Sequence, residues 1–197
     1  TQVDQGTFEV LQIPENEPAN WLGSKVKKGG TVGFDPWLHT SAWVTRTKEL
    51  LGKHGVRLKL LGRNPVDAVW GRQQPAPPLG PVAIHALKFA GKPAEEKIAS
   101  LQSTLKEAGE DAAVLTMPDS IAWAFNIRGS DVQHNPTSLA FAILHAAGKP
   151  ELFIDKRKLS SEVRKYLSGI CRLRDPAELK ERVGALKKSS KRVRIDE

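Results

Sequence analysis

The chain has 197 residues, of which 40% are hydrophobic and 26% charged, and this composition excludes an intrinsically disordered protein. No run approaches the roughly 18 consecutive apolar residues of a membrane span, and the opening TQVDQGTFEV lacks the layout of a signal peptide. The single cysteine excludes an internal disulfide and is typical of a reducing compartment. We therefore predict a cytoplasmic protein that does not associate with membranes.

The net charge of +8 raises the question of nucleic-acid binding. The one dense basic stretch is KKSSKRVR at 187–194, and no aromatic residue interrupts it to stack on bases. The rest of the positive excess is spread along the chain, as on a solvated surface. The sequence therefore predicts no nucleic-acid partner.

The first part of the chain predicts an incomplete α/β domain. TVGFD at 31–35 is a short apolar run between glycines and a proline, which indicates a buried strand. Thr40 can cap a helix whose inner face includes Trp43 and Thr47, and VRLKLL at 56–61 alternates as a second strand. One strand–helix–strand unit buries little core by itself, so we expect the chain to begin partway through this domain.

A proline-rich segment, RQQPAPPLGP at 72–81, divides the chain. Proline cannot continue a helix or occupy a central strand, so this segment predicts a stiff connector. We place the C-terminal part of a first domain at 1–75, a linker at 76–81 and a second domain at 82–197.

The second domain alternates strands with helices. Apolar runs predict strands at VAIHAL (82–87), AAVLTM (112–117), SLAFAILHAA (138–147), ELFID (151–155) and RVRID (192–196). Apolar spacing or capping signals predict helices at 94–108, 118–127 and 160–169, and in a segment opened by Asp175-Pro176-Ala177-Glu178. This order predicts an α/β fold whose mixed β-sheet is flanked by helices on both faces.

Common catalytic motifs are missing from the sequence. The five histidines never approach the H-x-x-x-H or H-x-x-E-H spacing of a metal site, and there is no P-loop, G-x-S-x-G or G-x-G-x-x-G. Cys171 lies in GICRLRD, which predicts a buried strand, and nothing identifies a base that would activate its thiol.

The strongest candidate site is DSIAWAFNIRGSDVQHNP at 119–136. Packing explains its apolar half, with Trp123 and Ile127 as core residues and Gly129 as the stop of the preceding helix. Packing does not explain why four polar side chains follow on a short loop.

Those four side chains are Arg128, Asp131, His134 and Asn135, and loops place polar groups for recognition more often than for packing. Arg128 can clamp a carboxylate and Asn135 can bind a peptide backbone, so we name the four as candidate substrate-binding residues. An internal brace between Arg128 and Asp131 explains the same pattern, and both alternatives remain open.

Three stretches carry a resemblance to a known family: DPWLHTSAW (35–43), NPVDAVWGRQQPAPP (64–78) and DSIAWAFNIRGSDVQHNP (119–136). Over essentially its whole length the chain resembles the Xaa-Pro aminopeptidases, or aminopeptidase P, of the three-domain type. It departs from their common pattern at Pro65, in the Arg72–Pro75 segment and at His134.

The resemblance implies a creatinase N-terminal-like fold for the second domain and a similar type for the partial first one. In this family a further C-terminal domain binds two divalent metal ions, usually manganese, and removes the N-terminal residue from peptides with proline in second place. The chain lacks those metal ligands, so we expect a non-catalytic fragment with no cofactor of its own.

The resemblance also implies partners for the chain. These are the catalytic domain of the same polypeptide, peptide substrates of the complete enzyme and, in one possible arrangement, a second copy in a homodimer. The candidate loop would then help to shape the substrate entrance. The alternative is a stand-alone, non-enzymatic binding module derived from such an enzyme.

Overall fold

The computed structural model describes residues 3–4, 6–189 and 191–195, and the chain divides into two compact units between Pro75 and Ala76. Within the described ranges, no helix has both the length and the apolar character that a membrane span requires.

The N-terminal unit contains a small parallel strand pair with helices around it. Its elements are α1 (Pro18–Lys25), β1 (Thr31–Phe34), α2 (Ser41–Lys53), β2 (Arg57–Leu60) and α3 (Pro65–Trp70). Thr40 caps α2 as predicted, since its hydroxyl accepts a 3.1 Å hydrogen bond from the Trp43 amide. Thr47 is buried as expected, whereas Trp43 is 39% exposed and stacks on His39 with 3.8 Å between ring centroids.

The second unit is larger and contains most of the buried core. Its strands are β3 (Ala83–Ile84), β4 (Ala112–Leu115), β5 (Ile127–Arg128), β6 (Phe141–His145), β7 (Glu151–Phe153), β8 (Arg172–Arg174) and β9 (Val193–Arg194). Its helices are α4 (Leu87–Ala90), α5 (Ala94–Glu107), α6 (Pro118–Ala124), α7 (Ser161–Ile170) and α8 (Leu179–Lys188).

Five of these strands form a mixed sheet in the order β8-β7-β6-β4-β9. Strand β6 runs antiparallel to β4 and β7, while β8 and β9 pair in parallel with their neighbours. Helices α5, α6 and α7 contribute Ile98, Ile121 and Leu167 to the apolar cluster on one face. Helix α8 contributes Leu179 and Leu186 to the cluster on the other face, so the predicted α/β fold with a mixed sheet covered on both sides is confirmed.

Several local predictions were wrong around β5. The strand expected at 82–87 is reduced to Ala83–Ile84, because its partner β5 offers only two residues and α4 begins directly afterwards. The helix expected at 118–127 ends at Ala124, so Gly129 is not its stop. Trp123, expected in the core, is 50% exposed, whereas Ile127 is buried as expected.

Cys171 is buried but does not lie in a strand. Its backbone amide donates to the Leu167 carbonyl at the end of α7, one residue before β8 begins. Burial raises the pKa of the Cys171 thiol to about 12, which keeps it protonated at neutral pH.

A buried carboxylate joins α8 to the sheet. The Glu151 side chain is 0% exposed, and its oxygens accept 2.9 Å hydrogen bonds from His145, Arg174 and Arg182. These partners come from β6, β8 and α8. Burial alone would raise the pKa of Glu151, but hydrogen bonds from Arg182, His145 and Arg174 outweigh it and lower that pKa to about 2.

Replacing Glu151 by Gln is expected to lower the free energy of unfolding by about 2–4 kcal/mol, because two arginines lose a buried carboxylate. The arginine side chains are 31% and 35% exposed, so water offsets part of the loss. Since folding depresses the pKa of Glu151, its contribution is present above the ordinary pKa of 4.5 and is lost as the pH falls towards about 2.

Urea denaturation at pH 7 and at pH 3 measures both effects. The Glu151→Gln variant should lose less stability between the two pH values than the parent chain does. Glu162→Gln, at an exposed position on α7, is the matched control. Identical pH dependence in all three proteins would contradict the role assigned to Glu151.

Candidate functional site

The candidate loop, residues 128–138, is called here the RGSD loop. It follows β5, and β5 is positioned by Asn126, a buried residue with φ of 48°. Asparagine tolerates this left-handed conformation better than most residues. Its amide nitrogen donates to the Lys92 carbonyl at 2.9 Å, and its amide oxygen accepts from Lys97 Nζ at 2.7 Å.

Lys97 is buried on α5 although it carries an amine. Its Nζ also donates to the Trp123 carbonyl at 3.1 Å and lies 4.6 Å from the centre of the Trp123 ring. Burial lowers the pKa of Lys97, and the positive charges of Arg128 and Lys92 lower it further. Among the described residues no carboxylate forms an ion pair with Lys97, so the base of the RGSD loop has uncompensated positive charge.

Arg128 lies half-buried beside this amine. Its Nη1 donates to the Ile127 carbonyl at 2.8 Å and, more weakly, to the Ala122 carbonyl at 3.4 Å. Its Nε and Nη2 form no hydrogen bond to the part of the chain that the structure describes. One arm of the guanidinium therefore orients the side chain and the other can bind an anionic group.

Asp131 is used internally. Its side chain is 0% exposed and accepts four hydrogen bonds: from the Gly80 amide at 2.9 Å, Ser138 Oγ at 2.9 Å, the Leu139 amide at 2.7 Å and Lys158 Nζ at 2.5 Å. Burial works to raise the pKa of Asp131, but the hydrogen bonds from Lys158, Leu139, Ser138 and Gly80 outweigh it and lower that pKa. Four bonds match the acceptor capacity of a carboxylate.

Two glycines allow the RGSD loop to pack this closely. A Cβ atom at Gly129 would lie 2.6 Å from the Ser138 backbone nitrogen, and one at Gly80 would lie 2.6 Å from the Ser130 carbonyl carbon. Ser130 Oγ also donates to the Pro81 carbonyl at 3.3 Å. The loop and the last residues of the proline-rich segment are therefore held together by close backbone contact.

The tip of the RGSD loop faces solvent. His134 has a φ of 61°, and both His134 and Asn135 are exposed. The Asn135 amide donates to the Val132 carbonyl at 3.2 Å, which closes the turn. Both side chains are therefore available to a partner.

The four predicted site residues thus divide into two groups. Arg128, His134 and Asn135 retain groups that can bind, whereas Asp131 holds the loop. The internal brace is real, but its cation is Lys158 and not Arg128, so the predicted Arg128–Asp131 pair is wrong. Lys158 was missed because it lies in the basic run DKRK, where nothing in the sequence distinguishes the buried cation from the exposed one.

The described residues were also searched for a metal site. Among residues 3–4, 6–189 and 191–195, no three or more His, Cys, Asp or Glu side chains come together as metal ligands.

Comparison with known proteins identifies the family of the chain. Residues 73–197 match the model of the creatinase/prolidase N-terminal domain. The chain belongs to this family. Its match covers the whole five-stranded sheet and the RGSD loop, and the predicted family resemblance is confirmed.

Similarity to curated relatives extends over nearly all of this chain. The chain is 37% identical over 193 residues to the "Probable Xaa-Pro aminopeptidase P" of Ajellomyces dermatitidis, covering 97% of this chain and 31% of that protein. The protein of the same name from Neosartorya fischeri is 41% identical over 168 residues, covering 84% of this chain and 26% of that protein. The chain thus spans between a quarter and a third of the length of these curated relatives.

A solved structure has a similar fold. The X-prolyl aminopeptidase of Caenorhabditis elegans, described as a cytosolic enzyme with a di-nuclear active site, superposes with a TM-score of 0.81 at 26% identity. The superposition covers 94% of this chain and 31% of that one. The chain is therefore homologous to the N-terminal region of aminopeptidase P proteins.

Replacing Asp131 by Asn should lower the free energy of unfolding by about 3–5 kcal/mol, because Lys158 would remain buried without its counter-charge. Hydrogen–deuterium exchange should become faster at the Gly80 amide, the Leu139 amide or both, because the side-chain amide keeps only one of the two oxygens that accept from them. Asp155→Asn is the control, since Asp155 forms its ion pair at the surface. Unchanged exchange at both amides would contradict the proposed anchoring of the loop.

Replacing Gly129 by Ala should also be destabilising, by about 1–3 kcal/mol, because the new methyl group meets the Ser138 backbone. The control Gly169→Ala lies in α7, where a Cβ atom meets open space, and should stabilise by about 0.5–1 kcal/mol. Thermal denaturation distinguishes the opposite signs. A neutral or stabilising Gly129→Ala would show that the contact relaxes without cost.

Proposed function

We propose that this chain is the non-catalytic N-terminal and middle part of an Xaa-Pro aminopeptidase. The observation that carries the proposal is the alignment of 97% of the chain with only 31% of a relative bearing that name. In this proposal the catalytic domain of the same polypeptide supplies two divalent metal ions, manganese in the usual case, and removes N-terminal residues that precede proline. The complete protein would act in the cytoplasm.

Within that enzyme the RGSD loop would form part of the substrate entrance. An exopeptidase of this specificity must admit a free peptide end and exclude folded chains. Arg128 offers a guanidinium arm beside the unpaired charge of Lys97, while His134 and Asn135 offer polar groups at an exposed tip. Asp131 acts as a positioning residue, because its oxygens are occupied by Gly80, Ser138, Leu139 and Lys158.

Arg128→Ala in the complete enzyme tests the role of the RGSD loop. We expect kcat/KM for peptides with proline in second place to fall about 10-fold or more, mainly through KM, because a charge-assisted contact is worth about 1.5–3 kcal/mol. The Arg128 side chain donates only to the nearby Ile127 and Ala122 carbonyls, so the melting temperature should change little. Arg172→Ala, at an exposed position in β8, is the control.

Two results would count against this role. Unchanged kcat/KM at unchanged stability would remove Arg128 from the substrate entrance. Loss of stability with unchanged kcat/KM per folded molecule would reduce Arg128 to a structural residue.

The intact mass of the gene product isolated from its source cell tests whether this chain is part of a longer protein. We expect a mass well above the 21.6 kDa of this chain. A mass of 21.6 kDa would overturn the proposal and favour a stand-alone binding module.

A further inference from the structure

A cavity of about 540 Å³ opens at one edge of the five-stranded sheet, and we refer to it as the edge cavity. This volume lies within the range of small-molecule sites. Its lining belongs wholly to the second unit. The apolar part includes Pro77, Leu139 and Phe141, and the charged part includes Asp155, Arg157 and Asp175.

The edge cavity lies where parallel strands end. Strands β4, β7 and β8 point the same way, and the cavity is lined by Thr116 after β4, Phe153 and Asp155 at the end of β7, and Asp175 after β8. Phe141 belongs to the start of β6, which runs in the opposite direction and therefore begins at the same edge.

The connections that follow β7 and β8 at this edge lead to opposite faces of the sheet. After β7 it continues into α7, whose residue Leu167 packs in the cluster on one face of the sheet. After the neighbouring strand β8 it continues into α8, whose residue Leu186 packs in the cluster on the other face. Two adjacent parallel strands whose following helices go to opposite faces form a topological switch point, and open α/β sheets bind ligands in the crevice outside it.

The walls and the mouth of the edge cavity differ in chemistry. Leu139, Phe141 and the prolines make the walls apolar, so they suit a hydrocarbon or aromatic group. Lys158 adds no net charge, because it pairs with the buried carboxylate of Asp131. The ligand's charge preference is therefore set at the mouth.

Two carboxylates and one guanidinium lie at the mouth. Arg157 binds Asp155 through its side chain, with 2.6 Å between Nη2 and Oδ2. Asp175 accepts the Ala177 amide through Oδ1 and forms a capping box with Glu178, but no cation among the described residues forms an ion pair with its carboxylate. The three charges sum to −1, which favours a cationic group and leaves Asp175 as the available acceptor.

We propose that the edge cavity binds a small molecule with an apolar body and a primary ammonium group, such as the amino end of an apolar amino-acid amide or short peptide. The apolar body would lie against Leu139 and Phe141, and the ammonium would pair with Asp175. The RGSD loop lies outside this assignment, so failure of the edge-cavity proposal leaves the proposed function unaffected.

Three probes that share one aromatic body test the proposal: phenylalanine amide (cationic at pH 6), N-acetylphenylalanine amide (neutral) and N-acetylphenylalanine (anionic). Titrations of the ¹⁵N-labelled chain followed by NMR should shift the amides of Thr116, Phe141 and Phe153 with phenylalanine amide. The neutral probe should bind about two- to fivefold more weakly, as expected for one solvent-accessible ion pair, and the anionic probe more weakly still.

Two variants separate the apolar and charged parts of the site. Asp175→Asn keeps a good helix cap and should bring the cationic and neutral probes to equal affinity. Leu139→Trp should block the edge cavity and abolish the shifts, because Leu139 is partly exposed and lines the cavity wall. The controls are Asp119→Asn and Leu87→Trp, at exposed positions that do not line the cavity.

Three outcomes would overturn the proposal. The first is the absence of shifts for all three probes at concentrations up to about 20 mM, which would exclude millimolar affinity. The second is equal or tighter binding of the neutral or anionic probe. The third is binding that survives Leu139→Trp in a chain with an unchanged circular dichroism spectrum.

Discussion

The buried ion pair between Asp131 and Lys158 is the constraint on which the functional part of the second unit depends. One carboxylate, 0% exposed, binds the end of the proline-rich segment through Gly80, the start of β6 through Leu139, and the turn after β7 through Lys158. Two buried opposite charges attract strongly in a medium of low dielectric constant, but each is costly if it is left alone. The RGSD loop is therefore held in a single conformation as long as both charges are present.

Charge is balanced very differently in three places within the same unit. Asp131 and Lys158 neutralise each other, and Glu151 is surrounded by two arginines and a histidine. Lys97 has only neutral acceptors and an aromatic ring, with further positive charge nearby. The first two arrangements stabilise the fold, because every charge has a counter-charge. The third leaves a positive field at the base of the RGSD loop, and that is where an anionic partner gains most.

The candidate site is a loop held in place by close packing and by one buried ion pair. Gly129 lets the loop approach Ser138, Asp131 holds it, and Arg128, His134 and Asn135 remain able to bind. In the proposed function, this loop would guide a substrate while the catalytic domain performs the reaction. The edge cavity lies next to the lysine that holds this loop, because Lys158 pairs with Asp131 and also lines the cavity.

The sequence by itself determined the fold class, because the alternation of strand and helix patterns is visible along the chain. It also determined the Thr40 cap, the helix after Pro93 and the capping box at Asp175, because each depends on residues within a turn or two of one another. The motifs likewise sufficed to predict the family. Only the tertiary structure decided which charges are buried: Lys158 reaches Asp131 across 27 residues, and Lys97 reaches Asn126 across 29. In the sequence these lysines are indistinguishable from surface residues, since burial is decided by segments that are distant in the chain and meet only when the sheet and helices pack.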